Sequence, residues 1–180
     1  MTNTKITLKY LFIIIVAVLF TWVLHEFMHW LTYQSLGYDA LMTLNRVSPT
    51  NTPTTTHALI AAAAGPLITI IQAVIVYAFL KYKNWNIYLY PFLLTAFYMR
   101  FLAGLINFIN PNDEGKISEY LGIGLFTLSI IVSGFLFYLV YNISKQYKLS
   151  FKFQMVTIIS VMVVSSCIIL LDQSYKLRIL

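Results

Sequence analysis

The stretch His25-Glu26-Phe27-Met28-His29 contains two of the three histidines of the chain and one of its six acidic residues. On a helix, residues four positions apart lie on one face, one above the other, so the two imidazoles can bind one zinc ion. Glu26 directly follows the first histidine, where a carboxylate can reach a zinc-bound water without being a ligand itself. The spacing therefore indicates metal-assisted chemistry in which Glu26 acts as general base.

The element that positions these residues is a long apolar segment. An apolar run that begins near Leu11 leads directly into the two histidines. The alternative interpretation is a pair of hydrogen-bonded histidines beside an unrelated glutamate, which would be reasonable in a soluble helix. Inside a membrane span, however, ionisable side chains are costly and are normally retained for function. We therefore expect a membrane-embedded metal site.

The composition indicates further elements of the same kind. Of the 180 residues, 59% are hydrophobic and 10% are charged, whereas about 25% are charged in soluble domains. The sequence predicts an all-α membrane protein, a multi-pass bundle of about five transmembrane helices in one domain covering residues 1–180. We expect it in a cell membrane of the bacterial type, embedded in the lipid bilayer. The predicted spans cover about residues 8–36, 57–80, 86–109, 117–143 and 151–171.

Charge and cysteine content exclude several classes of partner and site. The net charge is +6, but the lysines lie between apolar runs, where they favour topology and headgroup contacts over nucleic acid. We therefore expect no nucleic-acid partner. The single cysteine, Cys167, excludes a cysteine-rich metal site. Any metal ligands must be His, Asp or Glu.

A catalytic zinc site needs a third protein ligand and an open position for water. Counting the predicted spans places the stretch NPNDEGKIS on the same membrane face as His25 and His29, and this stretch contributes Asp113 and Glu114. Other carboxylates and the third histidine are weaker candidates, because each has an ordinary structural alternative. They are Asp39, His57, Glu119 and Asp172.

Three motifs together resemble the site-2 protease family of intramembrane zinc metalloproteases. They are HEFMH at residues 25–29, AAAAGP at residues 61–66, and the Asn/Pro-rich segment at residues 107–116. The family pairs an HExxH helix with a Gly-Pro helix and a distal Asn/Pro segment that ends in Asp-Gly. The resemblance covers about residues 11–121. It implies one zinc ion per chain, hydrolysis of peptide bonds in membrane-spanning or membrane-proximal segments, and a membrane protein or peptide as substrate.

Carried over by residue, the resemblance implies His25 and His29 as zinc ligands, Glu26 as the base and Asp113 as the third ligand. The Leu-Asp-Gly of the family is replaced by Asn-Asp-Glu at residues 112–114, with a glycine one position later. Glu114 therefore remains the alternative third ligand.

Supporting roles are predicted for four further residues, each with a structural alternative. Gly65 and Pro66 belong to the Gly-Pro motif, where small residues permit close helix approach or ordinary tight packing. Asn107 and Asn110 can hydrogen-bond an extended substrate or the oxyanion, or they can cap a broken helix. Residues 41–48 form either a plain loop or a short strand whose edge could pair with an unwound substrate.

Arg100 lies inside the third predicted span and needs a partner for its charge. Glu119 and Glu114 are the candidates, and the alternative is a side chain that extends to the membrane interface.

The orientation in the membrane receives two opposite predictions. Lysine and arginine counts make the N-terminus cytoplasmic and place the metal site toward the outer half of the bilayer. Site-2 proteases generally place the metal near the cytoplasmic side, which implies the reverse.

Two alternatives to an intramembrane protease differ in class. One is a non-proteolytic metal-binding membrane protein, such as a transporter or an accessory subunit. An ion pathway should carry ionisable groups at successive depths, and the second, fourth and fifth predicted spans offer almost none. The other is a zinc protease with a glutamate as third ligand, like the membrane enzymes that trim prenylated proteins, which share only HExxH with this chain. Diiron membrane enzymes are excluded because they need many more histidines than three.

Overall fold

Six α-helices and one β-hairpin make up the computed structural model, which describes residues 4–180. The expectation of a helical bundle is confirmed. Residues 41–48, predicted as either a plain loop or a short strand, instead form most of a hairpin of two three-residue strands joined by residues 43–46. The elements are α1 (Leu8–Ser35), β1 (Ala40–Met42), β2 (Val47–Pro49), α2 (Thr55–Tyr82), α3 (Tyr90–Ile106), α4 (Asp113–Tyr120), α5 (Thr127–Gln146) and α6 (Phe151–Tyr175).

Polar side chains fix where four of the helices begin. In each case the side-chain oxygen of the capping residue accepts the backbone N–H of the residue three positions later, which satisfies a donor that the first turn leaves free. α1 then runs without interruption to Ser35, so the two histidines of the motif share one helix. The capping residues are Thr7, Thr54, Asn112 and Ser150.

Four helices, α1, α2, α5 and α6, are long and apolar enough to cross a membrane. α3 is apolar but has 17 residues, a length of about 26 Å against a hydrocarbon core of about 30 Å. The predicted span at 86–109 is therefore too long at both ends. The helix begins at Tyr90, next to Pro91, and ends at Ile106. A turn follows the helix, and Pro111 disfavours helical backbone at the residue before it, Asn110.

The prediction of one continuous span at 117–143 is wrong. α4 ends at Tyr120 and α5 begins at Thr127. Between them Gly122 and Gly124 have φ angles of +67° and +91°, a left-handed backbone that glycine adopts without strain and that ends a helix. α4 is therefore a separate short helix, and it packs against α2 and α5.

α1 packs against α2, α3 and α6, and it also contacts the hairpin. The hydroxyl of Tyr10 lies 2.8 Å from Thr157 Oγ1 and joins α1 to α6. The hydroxyl of Tyr90 lies 3.2 Å from Ser144 Oγ and joins α3 to α5. Buried apolar side chains fill the space between these helices. The helix that carries the motif is thus held on several sides.

The hairpin packs over the C-terminal half of α1. The indole of Trp22 donates to Asn45 Oδ1 at 2.7 Å, and the indole of Trp30 donates to the carbonyl of Ala40 at 3.0 Å. The strands are antiparallel. These contacts fix the hairpin beside the two histidines.

Asp172 of α6 holds the tip of the hairpin. Its carboxylate accepts the backbone N–H of Leu44 and the hydroxyl of Thr43, each at 3.0 Å. Asp172 is buried near the end of α6, and its role is structural, as the alternative to a ligand role predicts. The sixth helix therefore positions the hairpin.

The outer edge of β1 is covered by the chain itself. The backbone N–H of Met42 donates to the carbonyl of Leu180 at 2.9 Å, and the N–H of Ile179 donates to the carbonyl of Met42 at 2.8 Å. The edge of β2 that does not pair with β1 lies on the opposite side of the hairpin.

The end of the bundle remote from the motif is rich in lysine. Lys9 lies over the ring of Tyr88, 4.9 Å from its centroid, and the side-chain amide of Gln146 donates to the carbonyl of Lys81 at 3.3 Å. These contacts bring the start of α1, the start of α3 and the ends of α2 and α5 together. The up-and-down order predicted for these helices is present.

Candidate metal centre

His25 and His29 of α1 and Asp113 of α4 meet through one atom each. The two Nε2 atoms are 3.0 Å apart. Asp113 Oδ2 lies 3.3 Å from His25 Nε2 and 3.4 Å from His29 Nε2. Ligand atoms that share a tetrahedral zinc ion, with bonds of about 2.0–2.1 Å, are separated by about 3.3–3.4 Å. Two of the three separations equal this value, and the third is slightly shorter.

The second ring nitrogen of each histidine is held by a group that fixes its proton. His29 Nδ1 lies 2.6 Å from the carbonyl oxygen of Ala61, which only accepts, so Nδ1 is the donor. His25 Nδ1 lies 3.2 Å from the hydroxyl of Thr69. That hydroxyl donates its one proton to the carbonyl of Gly65 at 2.9 Å, so it accepts from His25. In the neutral imidazoles both Nε2 atoms are consequently unprotonated.

Two unprotonated Nε2 atoms and one carboxylate oxygen therefore face one another without a proton between them. Their lone pairs repel, and a divalent cation between them would remove the repulsion. Two imidazole nitrogens and a carboxylate oxygen form a ligand set that suits zinc, and hydrogen bonds to the outer ring nitrogens orient such ligands. The residues fit a zinc ion that keeps an open position.

Gly65 allows α2 to approach the two histidines. A Cβ atom built on Gly65 would overlap the imidazoles of both His25 and His29. The same close approach brings the carbonyl of Ala61 within reach of His29. Pro66, the next residue, is buried in the same helix. The tight packing predicted for this motif is present, and Gly65 serves the site through that packing.

Asn107 shapes the segment that brings Asp113 to α1. Its Oδ1 accepts the backbone N–H of Asn112 at 2.9 Å, and its Nδ2 donates to Ser129 Oγ at 2.9 Å. The side-chain amide of Asn112 in turn donates to the carbonyl of Ala103. Of the two roles predicted for Asn107, the structure favours the structural one.

A cavity of about 500 Å³ opens beside the three ligand atoms. Glu26 lines this cavity and is 6% exposed. Its position on α1 is about 100° around the helix from His25, so it borders the same space without joining the ligand group. Asn110 also lines the cavity and is exposed, which leaves its side chain accessible to a substrate.

The adjacent carboxylates Asp113 and Glu114 have different partners. Glu114 Oε1 lies 3.1 Å from Arg100 Nη1, and both residues are 3% exposed. Of the partners predicted for Arg100, the structure therefore selects Glu114. Asp113, and not Glu114, contributes to the group of three ligand atoms.

The other predicted ligand candidates have other surroundings. His57 Nδ1 lies 2.9 Å from the hydroxyl of Tyr38, and Asp172 binds the hairpin. Within residues 4–180 the structure brings together no second group of three His, Cys, Asp or Glu ligand atoms. His25, His29 and Asp113 are therefore the candidate metal ligands in the described part of the chain.

Sequence reasoning missed Thr69 and the approach of Arg100 to His25. Thr69 follows Gly65 by four residues, and this spacing places both on the face of α2 that meets the histidines. That spacing was a signal available in the sequence. The role of Asp172 had no such signal, because its partners lie 128 and 129 residues away.

Comparison of the chain with protein-family models finds no model that matches. Comparisons with curated proteins and with solved structures find no match either.

Proposed function

We propose that the protein is an intramembrane zinc metalloprotease that hydrolyses peptide bonds in membrane-spanning or membrane-proximal segments of other proteins. The observation that carries this proposal is the convergence of the ligand atoms of His25, His29 and Asp113 beside the carboxylate of Glu26. α1, which carries the two histidines, is one of four apolar helices long enough to cross a membrane. The resemblance of the three motifs to site-2 proteases supports the same function.

The chemistry divides between the ion and Glu26. His25, His29 and Asp113 would hold the ion, and zinc, when bound, acidifies a water and polarises the scissile carbonyl. Glu26 accepts the proton of the attacking water and later donates it to the nitrogen of the leaving amine. His25, Glu26 and His29 are buried, and the cavity beside them leaves room for a substrate segment.

The hairpin offers a backbone edge for the substrate. A substrate helix must unwind locally to expose its peptide bond, and the freed backbone groups then need partners. The N–H of Thr43 donates to the carbonyl of Arg46 at 2.8 Å. Hydrogen-bonded and non-hydrogen-bonded pairs alternate along an antiparallel ladder, so the next pair, Met42 and Val47, is not hydrogen-bonded. The backbone N–H and C=O of Val47 therefore point away from β1. Val47 also lines the cavity. These observations favour strand addition at β2, since the edge of β1 is covered.

The experiment is cleavage of a single-span peptide in vesicles that contain the purified protein. We expect cleavage to stop when zinc is removed by a chelator and to resume when zinc is added back. Mass spectrometry of the products should place the cut inside or next to the span. A zinc-loaded protein that cleaves none of a panel of single-span peptides would contradict the proposal. Zinc flux across the same vesicles would then favour the transporter alternative.

A further inference from the structure

Arg100 lies against the candidate metal ligands. Its Nη2 is 3.4 Å from His25 Nε2, and its Nη1 is 3.6 Å from Asp113 Oδ2 and 3.1 Å from Glu114 Oε1. The side chain projects from an apolar helix and lines the cavity that contains Glu26. A charged group buried in this setting is normally kept for function.

An ion pair with Glu114 explains only part of this arrangement. Arg100 Nε and Glu114 Oε2 are buried without a hydrogen-bond partner among the described residues, so the pair is incompletely satisfied. A buried pair of this kind is weak evidence for a stabilising role. A guanidinium beside the ligand atoms also repels a divalent cation. The placement therefore suggests a role in a state where negative charge forms in the cavity.

The contact between Arg100 and His25 indicates which hydrogens are free for that role. Nη1 is engaged by Glu114. Nη2 makes one long contact, to His25 Nε2. If His25 is a metal ligand, the lone pair of its Nε2 binds the metal and no longer accepts from Nη2. When His25 Nε2 binds a metal, Nη2 therefore loses the acceptor of this contact, and Arg100 lines the cavity in which a substrate carbonyl would lie. A guanidinium group stays charged at physiological pH, and its N–H donors have a fixed planar arrangement.

We propose that Arg100 is a catalytic residue that donates a hydrogen bond to the oxyanion of the tetrahedral intermediate. In that step the water oxygen bonds to the carbonyl carbon, the π electron pair moves to the carbonyl oxygen, and Glu26 takes the water proton. The C–N bond then breaks, the oxyanion returns its electron pair to the carbonyl, and the proton passes from Glu26 to the amine nitrogen. Donors directed at the developing charge stabilise the transition state more than the substrate.

Glu114 is a positioning residue in this arrangement. It holds Nη1 from the first turn of α4, directly beside Asp113. Two consecutive residues of α4 thus place a metal ligand and the oxyanion donor. α4 therefore fixes the position of the metal relative to the oxyanion donor.

The inference rests on the proposed protease activity and is tested with Arg100→Met and Arg100→Lys in the zinc-loaded protein in vesicles. We expect Arg100→Met to lower kcat by about 10²–10³-fold, the usual effect of losing one oxyanion donor, with KM little changed. Arg100→Lys should lie between, since it keeps the charge but not the planar fork. Lys145→Met is the control, because Lys145 is an exposed cation near the end of α5 that is remote from the site, and it should keep the wild-type kcat.

Three binding measurements separate a catalytic from a structural role. A phosphinic peptide, which mimics the tetrahedral intermediate, should bind Arg100→Met more weakly by the factor by which kcat/KM falls. Uncleaved substrate should bind Glu26→Gln and the Glu26→Gln, Arg100→Met double variant equally well. The zinc affinity of Arg100→Met should be at least that of the wild type, because a repulsive charge is removed.

Several results would overturn the inference. They are a wild-type kcat in Arg100→Met, loss of zinc from a folded Arg100→Met, or equal weakening of substrate and phosphinic peptide. If Arg100→Met does not fold, a wild-type kcat in Arg100→Lys would also overturn the inference. Failure of the zinc-loaded wild type to cleave any substrate would instead reject the proposed function, and the inference with it.

Discussion

Two carboxylates that are adjacent in the sequence face different partners, because consecutive helical residues are about 100° apart around the axis. Asp113 reaches the two histidines, while Glu114 reaches Arg100. We expect Asp113→Asn to weaken zinc binding by more than about 100-fold, beyond the usual effect of losing an outer contact, and to abolish cleavage. Glu114→Gln should keep the zinc bound and should lose less activity than Arg100→Met. Zinc titration of the two purified variants measures this difference.

The reverse ranking of these two variants would transfer the ligand role to Glu114. Equal zinc affinity in both variants and the wild type would remove both carboxylates from the metal site and contradict the geometry of the three ligand atoms.

Gly65 provides a second test at the level of single residues. A methyl group at this position would overlap the imidazoles of His25 and His29. Gly65→Ala should therefore lose zinc and activity. Gly134→Ala is the matched control, since a Cβ at Gly134 meets no atom within 4 Å, and alanine is favoured over glycine inside a helix by about 0.5–1 kcal/mol.

Zinc content and the midpoint of thermal unfolding of both variants give the result. We expect Gly134→Ala to retain its zinc and to unfold at the wild-type temperature or above. Full zinc occupancy in Gly65→Ala would mean that α2 does not approach the ligands as closely as described.

The histidine pair was predictable because its geometry is local: two residues four apart on one helix share a face. The partner of Arg100 was not, since Glu114 and Glu119 are equally consistent with a helix that follows the Asn/Pro segment. Asn107 accepts the backbone N–H of Asn112 just before that helix and donates to Ser129 of α5, and the second contact joins residues 22 positions apart that the sequence does not link.

At the scale of elements, α6 and the hairpin form a unit through Asp172. If this carboxylate holds the hairpin tip, Asp172→Ala should release it while leaving the metal ligands in place. We expect faster amide hydrogen exchange at Thr43 and Leu44, slower cleavage, and wild-type zinc content. Hydrogen exchange monitored by mass spectrometry reports the first of these changes.

Asp39→Ala is the control for this experiment, because Asp39 is an exposed carboxylate close to the hairpin. It should leave both exchange and cleavage unchanged. Unaltered exchange at the hairpin tip in Asp172→Ala would show that the two Trp side chains of α1 suffice to hold the hairpin.

The helices that were predicted well are those whose apolar runs end at polar residues, as α1, α2 and α6 do. The break between α4 and α5 was missed because an apolar stretch continues across Gly122 and Gly124. Isolated glycines are compatible with a membrane helix, so composition alone does not place a break there. Their left-handed backbone becomes visible only in the fold.

At the scale of the whole molecule, the candidate metal site joins α1 to α4, two helices that are distant in the sequence. An ion that binds the folded chain and not the unfolded one stabilises the fold, by about 2.7 kcal/mol at a free concentration 100 times its Kd. We expect zinc to raise the midpoint of thermal unfolding of the wild type by several degrees. The shift should grow with zinc concentration.

Asp113→Asn serves as the control, because its unfolding temperature should be insensitive to zinc over the same range. Lys145→Ala and Lys148→Ala, which lie in or next to the end of α5 remote from the site, should respond to zinc as the wild type does. A zinc-dependent shift of the same size in Asp113→Asn would place the stabilising ion elsewhere.

The measurement that tests the central claim most directly compares the wild type with Glu26→Gln for two quantities: zinc bound per chain and cleavage of a single-span peptide in vesicles. We assign the ligand atoms to His25, His29 and Asp113, so Glu26→Gln should bind one zinc ion per chain as the wild type does. Because the proton acceptor is lost, it should show no cleavage. Loss of zinc from Glu26→Gln, or cleavage at the wild-type rate, would contradict the account.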